Sequence, residues 1–141
     1  MAETISFETG LKTFDINGKC EVTFNPTDFN FLEKLYNAAE ALDKIQNKFR
    51  TDVEKNENSA ALFDLAQNCD IDMRNIIDGI FGAPICSEVF AGLNVFAVGD
   101  GLPLWANLLY AVVDKMDSSL TDEKERAKTR IRKYSEKYKK K

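Results

Sequence analysis

Thiols and carboxylates are the side chains best suited to chemistry in this 141-residue sequence, which contains no histidine. The three cysteines, Cys20, Cys69 and Cys86, are far apart and form no CxxC pair of the kind that binds zinc or exchanges disulfides. We therefore interpret them as buried free thiols. The lack of histidine also removes the commonest general base and metal ligand.

The acidic segment DIDMRNIID contains three carboxylates, Asp70, Asp72 and Asp78. Side chains two residues apart on a helix do not share a face, so Asp70 and Asp72 should diverge. The segment also lacks the alternating oxygen ligands and final glutamate of a calcium loop. We interpret these carboxylates as solvated residues beside an apolar helix face.

The motif GDG at residues 99–101 resembles part of a phosphate loop, but Pro103 follows it and no lysine is near. We predict a turn there, followed by a helix. Ser87, Ser118 and Ser119 lack a histidine that could activate them. The sequence therefore predicts no catalytic residue, no metal site and no cofactor, and hence a protein that is not an enzyme.

The C-terminal sequence TRIRKYSEKYKKK is a basic ending on an acidic chain. Residues 121–141 contain ten Lys/Arg and four Asp/Glu, a net charge of +6, whereas residues 1–120 have a net charge of −10. On a helix, this tail would carry a thin apolar seam flanked by basic side chains. The candidate partner-binding residues are Arg126, Arg130, Ile131, Lys133, Tyr134, Lys137 and Tyr138.

Several uses of this tail fit its composition. Basic residues interleaved with tyrosines can bind nucleic acid by neutralising phosphates and stacking on bases. The cationic helix could instead dock on the acidic body of a second copy or of another protein. Membrane binding is disfavoured because the apolar face lacks bulk. The simplest alternative is an exposed terminal helix that its charge keeps solvated.

The N-terminal sequence LKTFDINGKCEVTF predicts a β-hairpin, because Asn17 and Gly18 suit the left-handed backbone of a tight turn. We predict a three-residue loop at 16–18, since this register gathers the apolar residues on one face. That face comprises Phe14, Cys20, Val22 and Phe24. Alternation at Ile5 and Phe7 adds a candidate third strand.

Apolar residues at spacings of three and four predict about four helices after the hairpin. Thr27 or Asp28 is the candidate N-cap of the first, and Asn58 or Ser59 that of the second. We predict a fold that is α+β and mainly α, with one compact domain at 1–120. Its elements are a hairpin at about 11–24, helices at about 28–54, 59–81, 84–91 and 103–118, and, after a weak break at DSSLTDEK, a basic helical tail at 121–141.

The first predicted helix is long and carries a narrow apolar seam that is a candidate for self-association. The seam residues are Leu35, Leu42, Phe49 and Val53. Such a seam can pack within the chain or against a second copy. We favour packing within the chain, which is the commoner arrangement in small domains.

Two features of the sequence bear on location. It contains no run of 18 apolar residues, which disfavours a transmembrane helix. Its N-terminus, MAETISFETG, lacks the basic and apolar regions of a secretory signal. The sequence therefore predicts a cytoplasmic protein.

The stretch NIIDGIFGAPICSEVFAGLNVFAVGDGLPLWANLLYAVVDKMD resembles the tail assembly chaperones of siphophages, the phages with long non-contractile tails. In that family, a helix ends at an Ile/Phe-Gly step, here Ile80 to Gly82, and a short helix like CSEVF follows. A glycine-punctuated segment, here 92–101, then leads to an amphipathic helix, here 103–116. The N-terminal strands, the long first helix and the chain length are also similar.

The resemblance implies a non-catalytic protein of the host bacterium's cytoplasm that is not retained in the mature virion. Members of the family self-associate, and a repeating partner together with a basic tail on an acidic body favours a homo-oligomer that can be open-ended. They coat the long, helical tape measure protein until tail tube subunits polymerise around it. The implied partners are therefore the tape measure protein and further copies of the chain, with the tail tube protein as another candidate. The alternative is a small phage or bacterial protein that binds nucleic acid through its basic C-terminal helix.

Overall fold

The computed structural model describes the backbone of residues 1–139, and the side chains of that range except those of Tyr134, Lys137, Tyr138 and Lys139. The fold is α+β and mainly helical, as the sequence predicts. In chain order the elements are β1 (Lys12–Ile16), β2 (Cys20–Phe24), α1 (Phe29–Lys55), α2 (Ser59–Phe81), α3 (Cys86–Val89), β3 (Val98–Gly99), β4 (Leu102–Pro103) and α4 (Leu104–Lys139).

The β1–β2 hairpin presents the predicted apolar face, but in a different register. The strands are antiparallel and Ile16 pairs with Cys20, so the loop is residues 17–19 and starts one residue later than predicted. Ile16 extends the apolar face instead of turning, which buries more of that face against the helices. Asn17 and Gly18 have positive φ angles of 53° and 68°, as the tight turn requires.

Residues 1–9, which we call the N-terminal arm, form no strand in the structure. The candidate third strand at Ile5 and Phe7 is therefore not formed within this chain. Asn25 anchors the root of the arm, because its Nδ2 donates a hydrogen bond of 2.8 Å to the carbonyl oxygen of Thr9. The apolar side chains beyond this anchor are left exposed.

Helices α1 and α2 form the framework of the body, and local signals set their ends. Of the candidate N-caps, the structure uses Asp28, which accepts from the main-chain N–H of residue 30, and Asn58, which accepts from that of residue 60. α2 ends as predicted at Gly82, in the left-handed conformation.

Aromatic rings join the hairpin to these helices. Phe24 of β2 stacks on Phe31 of α1, with ring centroids 4.2 Å apart, and Phe14 stacks on Phe24 at 4.8 Å. Phe81, at the end of α2, closes the cluster at 5.9 Å from Phe31. The hairpin is thus held by offset aromatic contacts at the end of the helical pair.

The segment after α2 is more irregular than predicted. α3 spans four residues, shorter than the predicted helix at 84–91, because the preceding residues form a turn that Asp78 caps by accepting from the main-chain N–H of Cys86. Val95 then enters the core and is fully buried. Its carbonyl oxygen accepts from the N–H of Trp105, which ties this segment to the start of α4.

The predicted break at DSSLTDEK is absent, and the predicted helix at 103–118 continues into the tail as the single helix α4. The segment contains no glycine or proline. The hydroxyls of Ser118 and Thr121 donate to main-chain carbonyl oxygens four residues earlier, so their hydrogen bonds form within the helix and do not interrupt it. The first half of α4 packs on the body, whereas almost all of the second half is exposed.

Candidate partner-binding groove

The cysteines lie where the sequence predicts, as free thiols inside or near the core. Cys69 and Cys86 are buried and Cys20 is half-buried. Burial raises the pKa of the Cys69 thiol to about 11, and burial with a hydrogen bond to Asp78 raises the pKa of Cys86 further. Thiols held protonated at neutral pH are poor nucleophiles and poor metal ligands. The part of the chain that the structure describes contains no cluster of three or more His, Cys, Asp or Glu side chains able to hold a metal ion.

Two of the three carboxylates in DIDMRNIID are structural, which corrects their interpretation as solvated residues. Asp70 is half-buried and accepts two hydrogen bonds, from Arg74 Nε at 2.8 Å and from the main-chain N–H of Val95 at 2.7 Å. Asp78 caps the turn before α3. Only Asp72 is exposed, as expected. Arg74 is an i,i+4 neighbour of Asp70, whereas Val95 is 25 residues away and the partner of Asp78 lies beyond the end of α2, so the spacing within this helix did not reveal these contacts.

The GDG motif forms a turn, as predicted. Asp100 and Gly101 have positive φ angles of 54° and 81° and connect β3 to β4. Ser87 and Ser118 hydroxyls donate to nearby main-chain carbonyl oxygens, and Ser119 is buried in α4. The hydroxyls of Ser87 and Ser118 are thus bonded locally.

A groove of about 1030 Å³ lies between the root of the N-terminal arm and the exposed half of α4. One wall consists of residues 8–12 together with the turn at 25–27, and the other consists of one face of α4. The lining residues are Glu8, Thr9, Gly10, Leu11, Lys12, Asn25, Pro26, Thr27, Glu123, Arg126, Ala127, Arg130, Ile131 and Ser135. We call this feature the tail groove.

The tail groove combines exposed apolar side chains on both walls with charged side chains. Leu11 and Ile131 are the large apolar residues of its two walls, and both are largely exposed, Ile131 at 64%. Glu123 lies between two cations, with its Oε1 3.9 Å from Lys12 Nζ and 3.8 Å from Arg126 Nη1. Such partly exposed pairs contribute little to stability, so they can rearrange when a partner binds.

The structure brings together three of the predicted partner-binding residues, because Arg126, Arg130 and Ile131 all line the tail groove. Lys133 is exposed on the same helix but is not part of the lining. The side chains of Tyr134, Lys137 and Tyr138 lie outside the described residues. The second wall was not predicted, since it faces α4 only through the tertiary fold and no local signal marks it.

The candidate self-association seam on α1 is used within the chain. Leu35 and Leu42 are buried in the core, so they are not available to a second copy. Phe49 is half-buried and packs on Phe96, with ring centroids 4.9 Å apart, and Val53 is half-buried near the end of α1. Leu35, Leu42 and Phe49 therefore pack within the chain, which is the alternative that we favour from the sequence.

Among the described residues, no helix is long and apolar enough to cross a membrane. No protein-family model, no curated protein and no solved structure matches this chain.

Proposed function

We propose that this protein is a siphophage tail assembly chaperone, which binds the tape measure protein, associates with further copies of itself and catalyses no reaction. It acts in the cytoplasm of the host bacterium, needs no cofactor and is absent from the mature virion. The sequence resemblance at residues 75–117 supports the family. The tail groove supports the activity, because it offers another polypeptide an open apolar surface beside a cationic helix.

The single observation that carries this proposal is the exposure of apolar side chains in a concave surface. Ile131 and Leu11 face a volume of about 1030 Å³ that no part of the described chain fills. An α-helix with its side chains is about 10–12 Å across, and one face of such a helix can lie in a groove of this kind. A tape measure protein is helical and apolar along its length, so it presents many such faces.

The charges of the tail groove indicate which helices it prefers. Lys12, Arg126 and Arg130 line the groove together with the acids Glu8 and Glu123. A partner helix that carries Asp or Glu beside its apolar stripe would compete with Glu123 for Lys12 and Arg126. We infer that the bound segments are amphipathic and acidic. Binding should be reversible, as a chaperone requires, since the groove is open and its ion pairs are weakly held.

Replacing Ile131 with aspartate should weaken binding of tape measure peptides by about tenfold or more, because it replaces a large apolar side chain of the groove lining with a charged one. Overlapping synthetic peptides that cover a siphophage tape measure protein provide the probe, and isothermal titration calorimetry provides the measurement. Ile71→Asp is a matched control, because Ile71 is also exposed and helical but lies outside the tail groove.

Charge reversal tests the second half of the same proposal. Arg126→Glu should weaken binding of acidic peptides, whereas Lys124→Glu, two residues away on α4 and outside the groove lining, should have little effect. Both substitutions change the net charge equally, so a difference between them reports the site. If no tape measure peptide binds the unaltered protein, the proposed function is wrong.

Nucleic-acid binding is the second candidate function, because the tail exposes a row of cations. Arg126, Arg130, Arg132 and Lys133 are all exposed along α4. A nucleic-acid partner predicts sub-micromolar binding to DNA or RNA that weakens steeply with salt concentration and is lost when residues 121–141 are deleted. Fluorescence anisotropy across a salt series measures this. Weak binding at physiological salt concentration would leave the chaperone proposal as the better one.

A further inference from the structure

The N-terminal arm and strand β1 each lack a partner that the other could supply. Within the arm, Ile5 and Phe7 are 91% and 80% exposed, and their spacing puts both side chains on one side of an extended chain. Within the described residues the hairpin is a sheet of two strands, so no strand from that part of the chain lies at the outer edge of β1.

The hydrogen-bond pattern shows which groups of β1 are open. Ile16 accepts the hydrogen bond that closes the hairpin loop, from the N–H of Lys19 at 2.9 Å. Because hydrogen-bonded and non-hydrogen-bonded pairs alternate along an antiparallel ladder, Thr13 and Asp15 direct their main-chain N–H and C=O groups away from β2. These groups form a template for another strand.

The side chains at this edge are incompletely covered as well. Phe14 and Ile16 of β1 are only half-buried, whereas Val22 and Phe24 of β2 are buried. A strand placed beside β1 with apolar residues at alternate positions would cover Phe14 and Ile16 and bury its own apolar side chains. The arm has this pattern.

The arm of one chain does not reach its own β1 edge. Asn25 directly follows β2, beyond the last pair of the β1–β2 ladder. Its hydrogen bond to Thr9 holds the root of the arm at that position. Gly10, with φ at 76°, packs so closely on Asn25 that a Cβ there would lie 2.8 Å from Nδ2. To lie beside its own β1, the arm would have to reverse direction and break this anchor. A second copy has no such restriction, since nine extended residues reach about 30 Å.

We propose that the N-terminal arm adds as a third strand to the β1 edge of a second copy of this chain. Charge favours this occupant. By strand alternation Glu3 shares a side with Ile5 and Phe7, and Lys12 shares a side with Phe14 and Ile16, while Asp15 lies on the other side of β1. Lys12 also lines the tail groove, 3.9 Å from Glu123, in a weakly held pair that can exchange. This proposal rests on the self-association within the proposed function, and it places that contact on the hairpin edge.

The test replaces both apolar arm residues in the full-length protein. Ile5→Asp/Phe7→Asp should weaken self-association by about tenfold or more, as size exclusion with light scattering measures across a concentration series. The matched control is Thr4→Asp/Ser6→Asp, which adds the same charge on the other side of the arm and should retain most of the self-association. Both variants should fold normally, because these four side chains are exposed.

Amide hydrogen exchange locates the contact. In the unaltered protein, exchange at the main-chain N–H of Thr13 and Asp15 should slow as concentration rises, and in Ile5→Asp/Phe7→Asp it should not. The proposal is overturned if the unaltered protein remains a monomer up to millimolar concentration, if the apolar variant associates as the unaltered protein does, or if Thr13 and Asp15 stay unprotected in the oligomer.

Peptide binding keeps this proposal separate from the proposed function. The Ile5→Asp/Phe7→Asp variant should still bind tape measure peptides in the tail groove. If the unaltered protein associates through the arm but binds no tape measure peptide, the arm contact stands and the chaperone function falls. If peptides bind but the arm variant associates normally, the chaperone function stands and the arm contact falls.

Discussion

Replacing Leu42 with alanine is expected to lower the free energy of unfolding by about 2–5 kcal/mol. Leu42 is fully buried between the helices, at 0% exposure. The substitution removes buried apolar surface and leaves a cavity that rigid neighbours on α2 cannot fill completely. Urea denaturation followed by circular dichroism, at a protein concentration where the chain is monomeric, measures the change.

Tyr36→Ala is the matched control for Leu42→Ala. Tyr36 lies on the same helix but is largely exposed, so its replacement should change the unfolding free energy by less than about 0.5 kcal/mol. The pair also separates the two uses of the α1 seam. If Leu42→Ala left stability unchanged but abolished self-association, the seam would be an intermolecular surface and its assignment to the core would fail.

Replacing Asp70 with alanine is expected to cost about 2–4 kcal/mol, the second large effect. Asp70 holds Arg74 in place, and Arg74 in turn binds the segment after α3. Its Nη2 donates to the carbonyl oxygens of Ala91 and Leu93 at 2.8 and 2.6 Å. The substitution removes two hydrogen bonds from the carboxylate and leaves the Arg74 charge without its acid. The Asp70 and Arg74 side chains are about one fifth exposed, so water offsets part of the loss.

Two measurements check the Asp70 prediction. The unfolding free energy of Asp70→Ala should fall well below that of Asp72→Ala, which removes an exposed carboxylate two residues away and should change stability by less than about 0.5 kcal/mol. The main-chain N–H of Val95 donates a hydrogen bond of 2.7 Å to Asp70. In Asp70→Ala, hydrogen exchange at this N–H should accelerate more than exchange in the middle of α1. Equal stability of the two variants would contradict the structural role of Asp70.

Local chemistry explains what the sequence could predict. A turn at Asn17 and Gly18, helix starts at Asp28 and Asn58 and a helix end at Gly82 each depend on a few adjacent residues. Side-chain oxygens cap N–H groups only two or three residues away, and a glycine in the left-handed region ends a helix at its own position. The sequence pattern therefore predicts these features. The apolar spacings similarly predict which faces of α1 and α2 are buried.

Contacts between distant residues explain what the sequence could not predict. Gln46 interrupts the apolar series of α1, and the structure supplies the reason: its Oε1 accepts a hydrogen bond of 2.6 Å from Trp105 Nε1, 59 residues later in the chain. Asp70 similarly binds the N–H of Val95, 25 residues later. A polar side chain on a helix is solvated unless another group forms a hydrogen bond with it. Here the tertiary fold places that group, from a distant part of the chain, beside the helix.

The sequence by itself determined the fold class, the ends of α1 and α2 and an acidic body with a basic tail, because composition, spacing and local hydrogen bonding act along the chain. Only the tertiary structure decided that the Leu35–Leu42 seam is internal and that Leu11 and Ile131 line one groove. Leu11 and Ile131 are more than a hundred residues apart in the chain, and the seam is buried by elements that follow α1. Packing of whole elements therefore sets both outcomes, rather than any local pattern.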